Sequence, residues 1–295
     1  MNWKNVLIMG AVVLLPASIM AQANILNAKK PQDVGARTDA QKAVDNDAPL
    51  AYGYVDDRDI LWSKTLWETI DLDERVNFPL YYPTDTIDIG SDRRSLYHVL
   101  MKNIKNGKLD AYADSYFTEK RNFKDLTAAL SKTDTLDFGY EQMNAGEAVS
   151  DEFIARRDIT AAEIEEYRIK GIWYFDKRQG ELKYRLLGIA PVAPDVNFID
   201  DENPDKVELF WIWYPDAREV LHESKVFNQR NSAQPISFDM LLNARRFNAV
   251  IYKEDNVHGD REVKDYIADN ALFQLLEAKR IKEVIRDREQ DMWAY

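Results

Sequence analysis

Residues 171–191, GIWYFDKRQGELKYRLLGIAP, restrict the possible folds more than any other segment of the chain. Two runs rich in aromatic and aliphatic residues flank the sequence KRQG, in which Gly180 occupies a turn position that favours positive φ. This arrangement predicts two antiparallel strands, Gly171–Asp176 and Glu181–Ala190. Any fold of the chain must therefore contain this antiparallel pair.

A further β-prone run, KVELFWIWY at 206–214, shares one property with the hairpin strands, because large apolar residues occupy both of its faces. A half-exposed antiparallel sheet would have polar residues on one face. Either helices and loops cover both faces, or one face meets another subunit. We expect Trp173, Phe175, Trp211 and Trp213 to lie mostly in a core. Some neighbouring aromatic residues are expected at an interface, where Trp and Tyr are enriched.

Apolar spacing, caps and turn residues predict the remaining elements. The expected helices span 59–71, 91–106, 122–130, 161–168, 215–226, a segment after Ser237, and 261–288. The expected strands span 109–113, 133–140, 206–214 and 249–252, and 80–82 between two prolines is expected to be an extended edge segment. These elements define an α+β fold in which helices pack antiparallel strands, with a flexible N-terminal arm and a long C-terminal helix.

The C-terminal helix at 261–288 is amphipathic. Its apolar stripe is expected to contain Val263, Ile267, Leu272, Leu275, Leu276, Val284 and Ile285. This stripe either closes the core of its own domain or packs against a neighbouring subunit.

Two segments have the same order of predicted features, which is a capped helix, a strand directly after it, and acidic residues at the end. They are RSLYHVLMKNIKNGKLDAYAD at 94–114 and SFDMLLNARRFNAVIYKED at 237–255. A weak internal duplication and the chance similarity of a common helix–strand unit both account for the pattern.

The first residues have the three parts of a secretory signal peptide. Lys4 supplies a short positive region, Val6–Leu15 is apolar, and small residues allow cleavage after Ala21 or Ala23. The apolar run is short for a membrane span, although an uncleaved anchor helix is the alternative. We expect a signal peptide at 1–21, an arm at 22–53, and an exported folded domain at 54–295.

The arm at 22–53 is rich in Ala, Asp, Asn, Gln and Lys and has few aromatic residues. Such a composition buries too little apolar area to offset the entropy lost on ordering. The arm is expected to be mobile in the isolated protein. It is either a plain linker or a segment that orders on a partner.

Composition excludes several classes of protein. The chain has 51 acidic and 39 basic residues and a formal charge of −12, so it is a poor candidate for nonspecific nucleic-acid binding. Its 295 residues include no cysteine. Disulfides, thiolate metal sites, cysteine nucleophiles and a lipid anchor on an N-terminal cysteine are therefore excluded. We expect any membrane association to be made through partners.

Motifs of standard catalytic chemistry are missing from the sequence, including G-x-S-x-G, H-E-x-x-H and G-x-G-x-x-G. His98, His222 and His258 lie far apart in sequence, so their spacing does not favour a metal site. We therefore predict no catalytic, cofactor-binding or metal-binding residue, and no cofactor.

The loop between 195 and 205 carries the densest group of carboxylates. Its acidic residues are Asp195, Asp200, Asp201, Glu202 and Asp205. A solvated acidic loop is favoured, and calcium binding is the alternative, although the EF-hand spacing and glycine are absent.

The chain resembles the GldN/PorN family of gliding-motility and type IX secretion proteins of the Bacteroidetes. The resemblance runs from the export segment to the C-terminal helix, and the hairpin is its most specific part. The other matching segments are YYP at 81–83, RSLYHVL at 94–100 and LNARRFNAVIYKE at 242–254.

This resemblance implies a non-enzymatic structural subunit located in the periplasm, beneath the outer membrane. It implies assembly into a ring with a lipoprotein of the GldK/PorK type. It also implies contact with the periplasmic part of a GldM/PorM-like inner-membrane motor protein. The family provides no residue-level binding signature that transfers to this sequence.

Two alternatives from other classes stay open at this stage. One is a periplasmic protein that binds glycan, such as peptidoglycan, through exposed Trp and Tyr. The other is a glycan hydrolase, which needs a cleft with two carboxylates about 5–9 Å apart.

Overall fold

A computed structural model describes residues 30, 43–44, 47–85, 87, 93–146, 150–198, 204–229, 231, 234–268 and 270–293. The predicted signal peptide and most of the predicted arm lie outside these residues. The chain divides into two units, Met1–Ala48 and Pro49–Tyr295. All elements below belong to the second unit.

Antiparallel strands dominate this unit. They are β1 (Ile60–Asp71), β2 (Ala111–Tyr112), β3 (Lys120–Arg121), β4 (Ser131–Thr135), β5 (Ile154–Asp158), β6 (Glu166–Asp176), β7 (Glu181–Pro194), β8 (Lys206–Glu208), β9 (Trp211–Trp213), β10 (Lys225–Val226), β11 (Ile236–Ser237) and β12 (Val250–Glu254). In the described part of the chain, eight of them form one sheet in the order β12-β1-β6-β7-β9-β2-β3, with β8 also paired to β7. The pairs β4–β5 and β10–β11 stand apart.

Helices complete the predicted α+β fold, which is confirmed. They are α1 (Phe78–Tyr81), α2 (Leu96–Lys105), α3 (Phe123–Ala129), α4 (Asp137–Asn144), α5 (Tyr214–Glu223), α6 (Phe238–Asn243), α7 (Val263–Tyr266) and α8 (Ala271–Trp293). The long C-terminal helix is α8.

The predicted hairpin is present and is longer than the sequence indicated. Strands β6 and β7 pair from Glu166 opposite Val192 to Asp176 opposite Glu181. Gly180 has φ of 65°, as the turn was expected to require. The hairpin forms the centre of the sheet.

The prediction of a helix at 59–71 is wrong, because these residues form strand β1. The strand pairs with β12 along one edge and with β6 along the other. Leu66 is buried on one face and Trp67 on the other. Because apolar residues lie on both buried faces of the strand, their spacing in the sequence resembles that of an amphipathic helix.

Residues 80–82 are not an extended edge segment. Phe78–Tyr81 forms the short helix α1, in which Pro79 occupies the first turn. Proline is compatible with this position because the first helical N–H groups have no partner within the helix. The two prolines therefore mark the start and the end of a helical turn.

The expected helix at 161–168 is reduced to a single 3₁₀ turn, Ala161–Glu163. Its predicted capping box forms, and the Thr160 amide donates to Glu163 Oε2 at 2.6 Å. Strand β6 then begins at Glu166, because Tyr167 and Ile169 alternate into the core.

Three further boundaries differ from the prediction. The expected strand at 133–140 ends at Thr135, and helix α4 follows. The run 206–214 divides into β8 and β9, and its last residue, Tyr214, already begins α5. The expected helix at 261–288 divides into α7 and α8, where the Asn270 side chain accepts from the Phe273 amide at 3.1 Å and caps α8.

Three groups of buried residues hold the unit together. The main core lies between one face of the sheet and helices α2, α5 and α6, with Ile169, Leu100 and Leu242 among its members. A second core joins α8 to β1 and β12. On the opposite face of the sheet, Trp67 and Trp211 form a third group.

The two segments with a shared pattern also share a cap. In α2 the Ser95 hydroxyl accepts from the His98 amide at 3.3 Å, and in α6 the Ser237 hydroxyl accepts from the Met240 amide at 3.1 Å. The strands that follow, β2 and β12, belong to the same sheet.

Candidate protein-interaction surfaces

The three histidines lie on separate elements. His98 is in α2, His222 is near the end of α5, and His258 is in the turn after β12. Burial lowers the pKa of His98, and the nearby charges of Arg94 and Lys102 lower it further. Among the residues that the structure describes, no three His, Asp or Glu side chains are grouped to hold a metal ion.

The acidic loop is described only at its two ends. The Asp195 amide donates to the Asp205 carbonyl oxygen at 3.0 Å, and the Asp195 carboxylate accepts from the Asn197 amide at 2.9 Å. Asp195 therefore organises the turn at its own end of the loop. Asp200, Asp201 and Glu202 lie outside the described residues.

The prediction of burial for the hairpin aromatics is confirmed for Phe175 and Trp211. Trp173 and Trp213 are half-buried. Trp173 packs against the core beneath α8, and Trp213 contacts Phe117 with 4.9 Å between ring centroids.

Residues 50–54, here termed the N-terminal strap, are held against the domain by arginine side chains. Arg218 of α5 donates a hydrogen bond of 2.6 Å to the carbonyl oxygen of Leu50. Arg185 of β7 donates one of 2.9 Å to the carbonyl oxygen of Gly53. The strap belongs to the compact unit Pro49–Tyr295, whereas the sequence analysis predicted that the domain begins at residue 54.

Tyr52 provides most of the side-chain contact of the N-terminal strap. The Arg218 guanidinium lies 4.0 Å from the centre of its ring, and that of Arg185 lies 4.7 Å away. Its hydroxyl donates to the side-chain oxygen of Asn243 at 2.8 Å. Burial raises the pKa of Tyr52, and the charge of Arg218 opposes this effect. Cation–π contacts and this hydrogen bond therefore add to the two arginine–carbonyl bonds that hold the strap.

A buried ion pair lies at the floor of a cavity between the sheet and α8. Glu68 of β1 and Arg245 form this pair, and the guanidinium lies 4.2 Å from the centre of the Tyr184 ring. The cavity has a volume of about 220 Å³ and is walled by Trp173 and Ile285. An ion pair and apolar side chains therefore lie side by side beneath the C-terminal helix.

The sheet face opposite the main core carries lysines packed on aromatic rings. Lys170 Nζ lies 4.9 Å from the centre of the Trp67 ring and 4.5 Å from that of Tyr116. Lys253 Nζ lies 4.4 Å from the centre of the Trp67 ring. Burial and the adjacent Lys253 lower the pKa of Lys170. The aliphatic stems of the two lysines help to keep Trp67 buried.

A loop at 113–119 places one more ring on this face. Phe117 has φ of 61° and meets Tyr112 edge to face, with 5.3 Å between centroids. A Cβ atom on Gly188 would lie 2.5 Å from Phe117 Cζ. Glycine is therefore needed at this position of β7 for the ring to approach the sheet.

Helix α8 packs on the domain through one face and exposes apolar residues on another. Ala278, Ile281 and Ile285 face the sheet and are buried. The exposed apolar surface, here termed the α8 patch, consists of Leu272, Phe273, Leu275 and Leu276. Of the predicted stripe, Val263 and Ile285 are buried and Leu272, Leu275, Leu276 and Val284 are exposed, so the stripe closes the core of its own domain only in part.

A second exposed apolar surface surrounds α4, next to the separate β4–β5 pair. It consists of Leu136, Phe138, Tyr140, Met143 and Ile154. The Phe138 and Phe153 rings lie 6.0 Å apart, and every residue of β5 is exposed. Contiguous exposed apolar surface is typical of sites of protein–protein contact.

Sequence reasoning missed the arginines that hold the N-terminal strap. Arg178, Arg185 and Arg218 occur singly, in a turn, a strand and a helix, and no motif links them. One signal was available, because Arg218 lies in a helix beside apolar Ala217, Val220 and Leu221. A cation on the inner face of a helix indicates a buried partner, which is Asp239 at 2.9 Å.

Exposed apolar patches, such as those on this α+β domain, are typical of proteins that contact other proteins in assemblies. Residues 55–294 match the family model of the gliding motility associated protein GldN. This match covers most of the chain, which therefore belongs to the GldN family, a family associated with gliding motility and type IX secretion. The family resemblance predicted from the sequence is confirmed. A comparison with curated proteins found no match.

Within the described residues, none of the helices has the length and apolar character needed to cross a bilayer.

Proposed function

We propose that the chain is a non-enzymatic structural subunit that works by assembling with other proteins of the gliding and type IX secretion machine. The α8 patch carries this proposal. Leu272, Phe273, Leu275 and Leu276 lie within five consecutive positions, and each is about half exposed or more. Full burial of such a side chain is worth roughly 1.5–3 kcal/mol, so the part of each that stays in water forgoes about half of that. A covering partner would recover that free energy.

The proposed partners are a GldK/PorK-like lipoprotein, a GldM/PorM-like motor protein and further copies of the chain in a ring. The proposed location is the periplasm, beneath the outer membrane. The cysteine-free sequence supports this arrangement, because it offers no N-terminal cysteine for a lipid, so a lipidated partner would provide attachment to the membrane.

The test compares apolar and charged exposed residues of α8. The double variant Leu272→Ser/Leu276→Ser removes apolar area from the patch, and Glu289→Ser on the same helix is the matched control. Size-exclusion chromatography with light scattering is run on the chain alone and with the co-expressed lipoprotein.

We expect the double variant to keep the melting temperature of the control and to lose the higher-mass complex. Unchanged complex formation by the double variant would contradict the role of the patch. Loss of complex together with a lowered melting temperature would instead assign these side chains to the fold.

A further inference from the structure

A groove lies between helix α1 and the segment that follows β10. Its cavity of about 690 Å³ is lined by the rings of Phe78, Tyr82 and Phe227. Phe78 and Tyr82 meet edge to face with 5.5 Å between centroids. The Gln229 side-chain amide donates to the Arg75 carbonyl oxygen at 3.3 Å and so links the two walls. A volume of this size and an aromatic lining are typical of a ligand site.

A second cavity continues the groove past Pro79 and Phe227. It has a volume of about 290 Å³ and reaches Arg246. Tyr82 is 52% exposed and Phe227 is 44% exposed, so both rings are open to an incoming ligand. The two cavities together form an elongated surface.

The charge of the groove opposes the charge of the protein. Arg75 and Arg93 line the larger cavity and Arg246 lines the smaller one. Among the described residues that line either cavity, none is acidic, although the whole chain carries a charge of −12. The Arg93 guanidinium lies 5.1 Å from the centre of the Phe227 ring, so it is held over an aromatic surface.

We propose that this groove binds an extended acidic peptide segment of a partner protein. The arginine guanidinium donates hydrogen bonds and accepts none. Its planar group can donate two parallel hydrogen bonds to the two oxygen atoms of one carboxylate. Arg75 and Arg246 therefore receive acidic side chains, and Phe78, Tyr82 and Phe227 receive proline or aliphatic side chains. Grooves lined by aromatic residues suit an extended backbone, which loses little entropy when it binds.

A peptide fits the groove better than a glycan does. A sugar hydroxyl both donates and accepts hydrogen bonds, whereas the charged side chains that line the groove only donate and are matched best by carboxylates. The inference rests on the proposed function only in taking the partner to be a protein.

The test is a selection from a random eight-residue peptide display library on the full mature chain. Selected peptides are then synthesised with a fluorescent label and titrated by fluorescence anisotropy at low and high salt. The variants are Arg75→Gln/Arg246→Gln and Phe227→Ala. The matched control is Arg58→Gln, which removes an arginine whose side chain is 82% exposed.

We expect the selected peptides to be rich in Asp and Glu with proline or aliphatic residues between them. Loss of two charge-assisted contacts should weaken binding about tenfold or more in the double arginine variant, and added salt should weaken binding to the native chain. The Arg58→Gln control should bind as the native chain does. Melting curves of the variants verify that each is folded.

Selection of neutral peptides, or of peptides that the double variant binds equally well, would overturn the proposal. Displacement of the peptides by soluble peptidoglycan fragments that bind the groove themselves would overturn it in favour of a glycan. The α8 patch lies on other residues, so the outcome of its test does not depend on this one. If the groove binds no acidic peptide but the α8 patch variant loses the complex, the proposed function is still supported.

Discussion

Arg245 donates a hydrogen bond of 2.8 Å to the carboxylate of Glu68 and so ties the segment after α6 to the centre of β1. Glu68 is only 2% exposed. Desolvation of the two charges costs free energy, which their mutual attraction and the surrounding rings offset. The pair therefore fixes the position of a loop on the sheet, and each partner depends on the other.

Replacement of Arg245 by leucine should destabilise the protein. The change leaves the Glu68 carboxylate buried without its counter-ion, which typically costs about 3–5 kcal/mol in the free energy of unfolding. Urea denaturation measures this loss, and Arg288→Leu on the exposed side of α8 is the control. Equal stability of the two variants would show that the pair contributes little.

Replacement of Gly188 by alanine should force Phe117 away from the sheet. Overpacking of this kind costs about 1–3 kcal/mol. In a Phe117→Ala background the added methyl group should cost less, so the two changes should couple in a double-mutant cycle of thermal or urea unfolding. Gly53→Ala is the control, because its Cβ would meet nothing within 4 Å. Additive effects of Gly188→Ala and Phe117→Ala would contradict the contact.

Stability should fall in alkali. Burial raises the pKa of several tyrosines, and the shift is large for five of them, Tyr97, Tyr167, Tyr184, Tyr214 and Tyr252. These residues stay neutral in the folded protein above pH 10, whereas the unfolded chain loses their protons near pH 10. These tyrosines should therefore leave the free energy of unfolding unchanged below pH 10. Above pH 10 they should make it decrease as the pH rises.

Urea unfolding between pH 8 and 11 measures this decrease. Tyr214→Phe removes one of the five groups and should make the decline less steep, while Tyr54→Phe, on an exposed side chain, should leave it unchanged. A decline of the same slope in both variants would assign the effect to other groups.

The two faces of α8 should respond differently to truncation. Ile281 is buried against the sheet, so Ile281→Ala should cost about 2–5 kcal/mol. Leu275 is 53% exposed, so Leu275→Ala should change the free energy of unfolding by about 0.5 kcal/mol or less. Thermal unfolding of the isolated chain compares the two variants directly. A larger loss from Leu275→Ala would place that residue in the core.

The sequence predicts the hairpin best because its turn and its strands give independent signals. Gly180 marks the turn, and the apolar runs on either side have the length of strands. Strand β1 has no such turn beside it, and both of its faces are buried. Periodicity alone cannot separate a strand of this kind from a helix. The boundary between β9 and α5 was missed for a related reason, since Tyr214 continues an aromatic run and also begins a helix.

The candidate surfaces depend on contacts between distant parts of the chain. The stripe of α8 was recognised from its sequence, but which of its leucines face water depends on where the helix meets β12. The groove could not be predicted, because Tyr82, Phe227 and Arg246 meet only after folding. The N-terminal strap was not recognised, since the arginines that bind it, Arg185 and Arg218, lie far away in the sequence.

The two ends of the sheet have a consequence for how copies of the chain approach each other. One end is β3, which has two residues, and the other is β12, which has a register shift opposite Trp67 and Glu68. Glu262 bridges to Lys253 on β12, and α8 packs beside the strand. Neither end offers a long row of free backbone groups to a passing strand. Growth of an assembly by sheet extension is therefore disfavoured, and neighbours in the proposed assembly would be selected by side chains, whose fit can be specific and reversible.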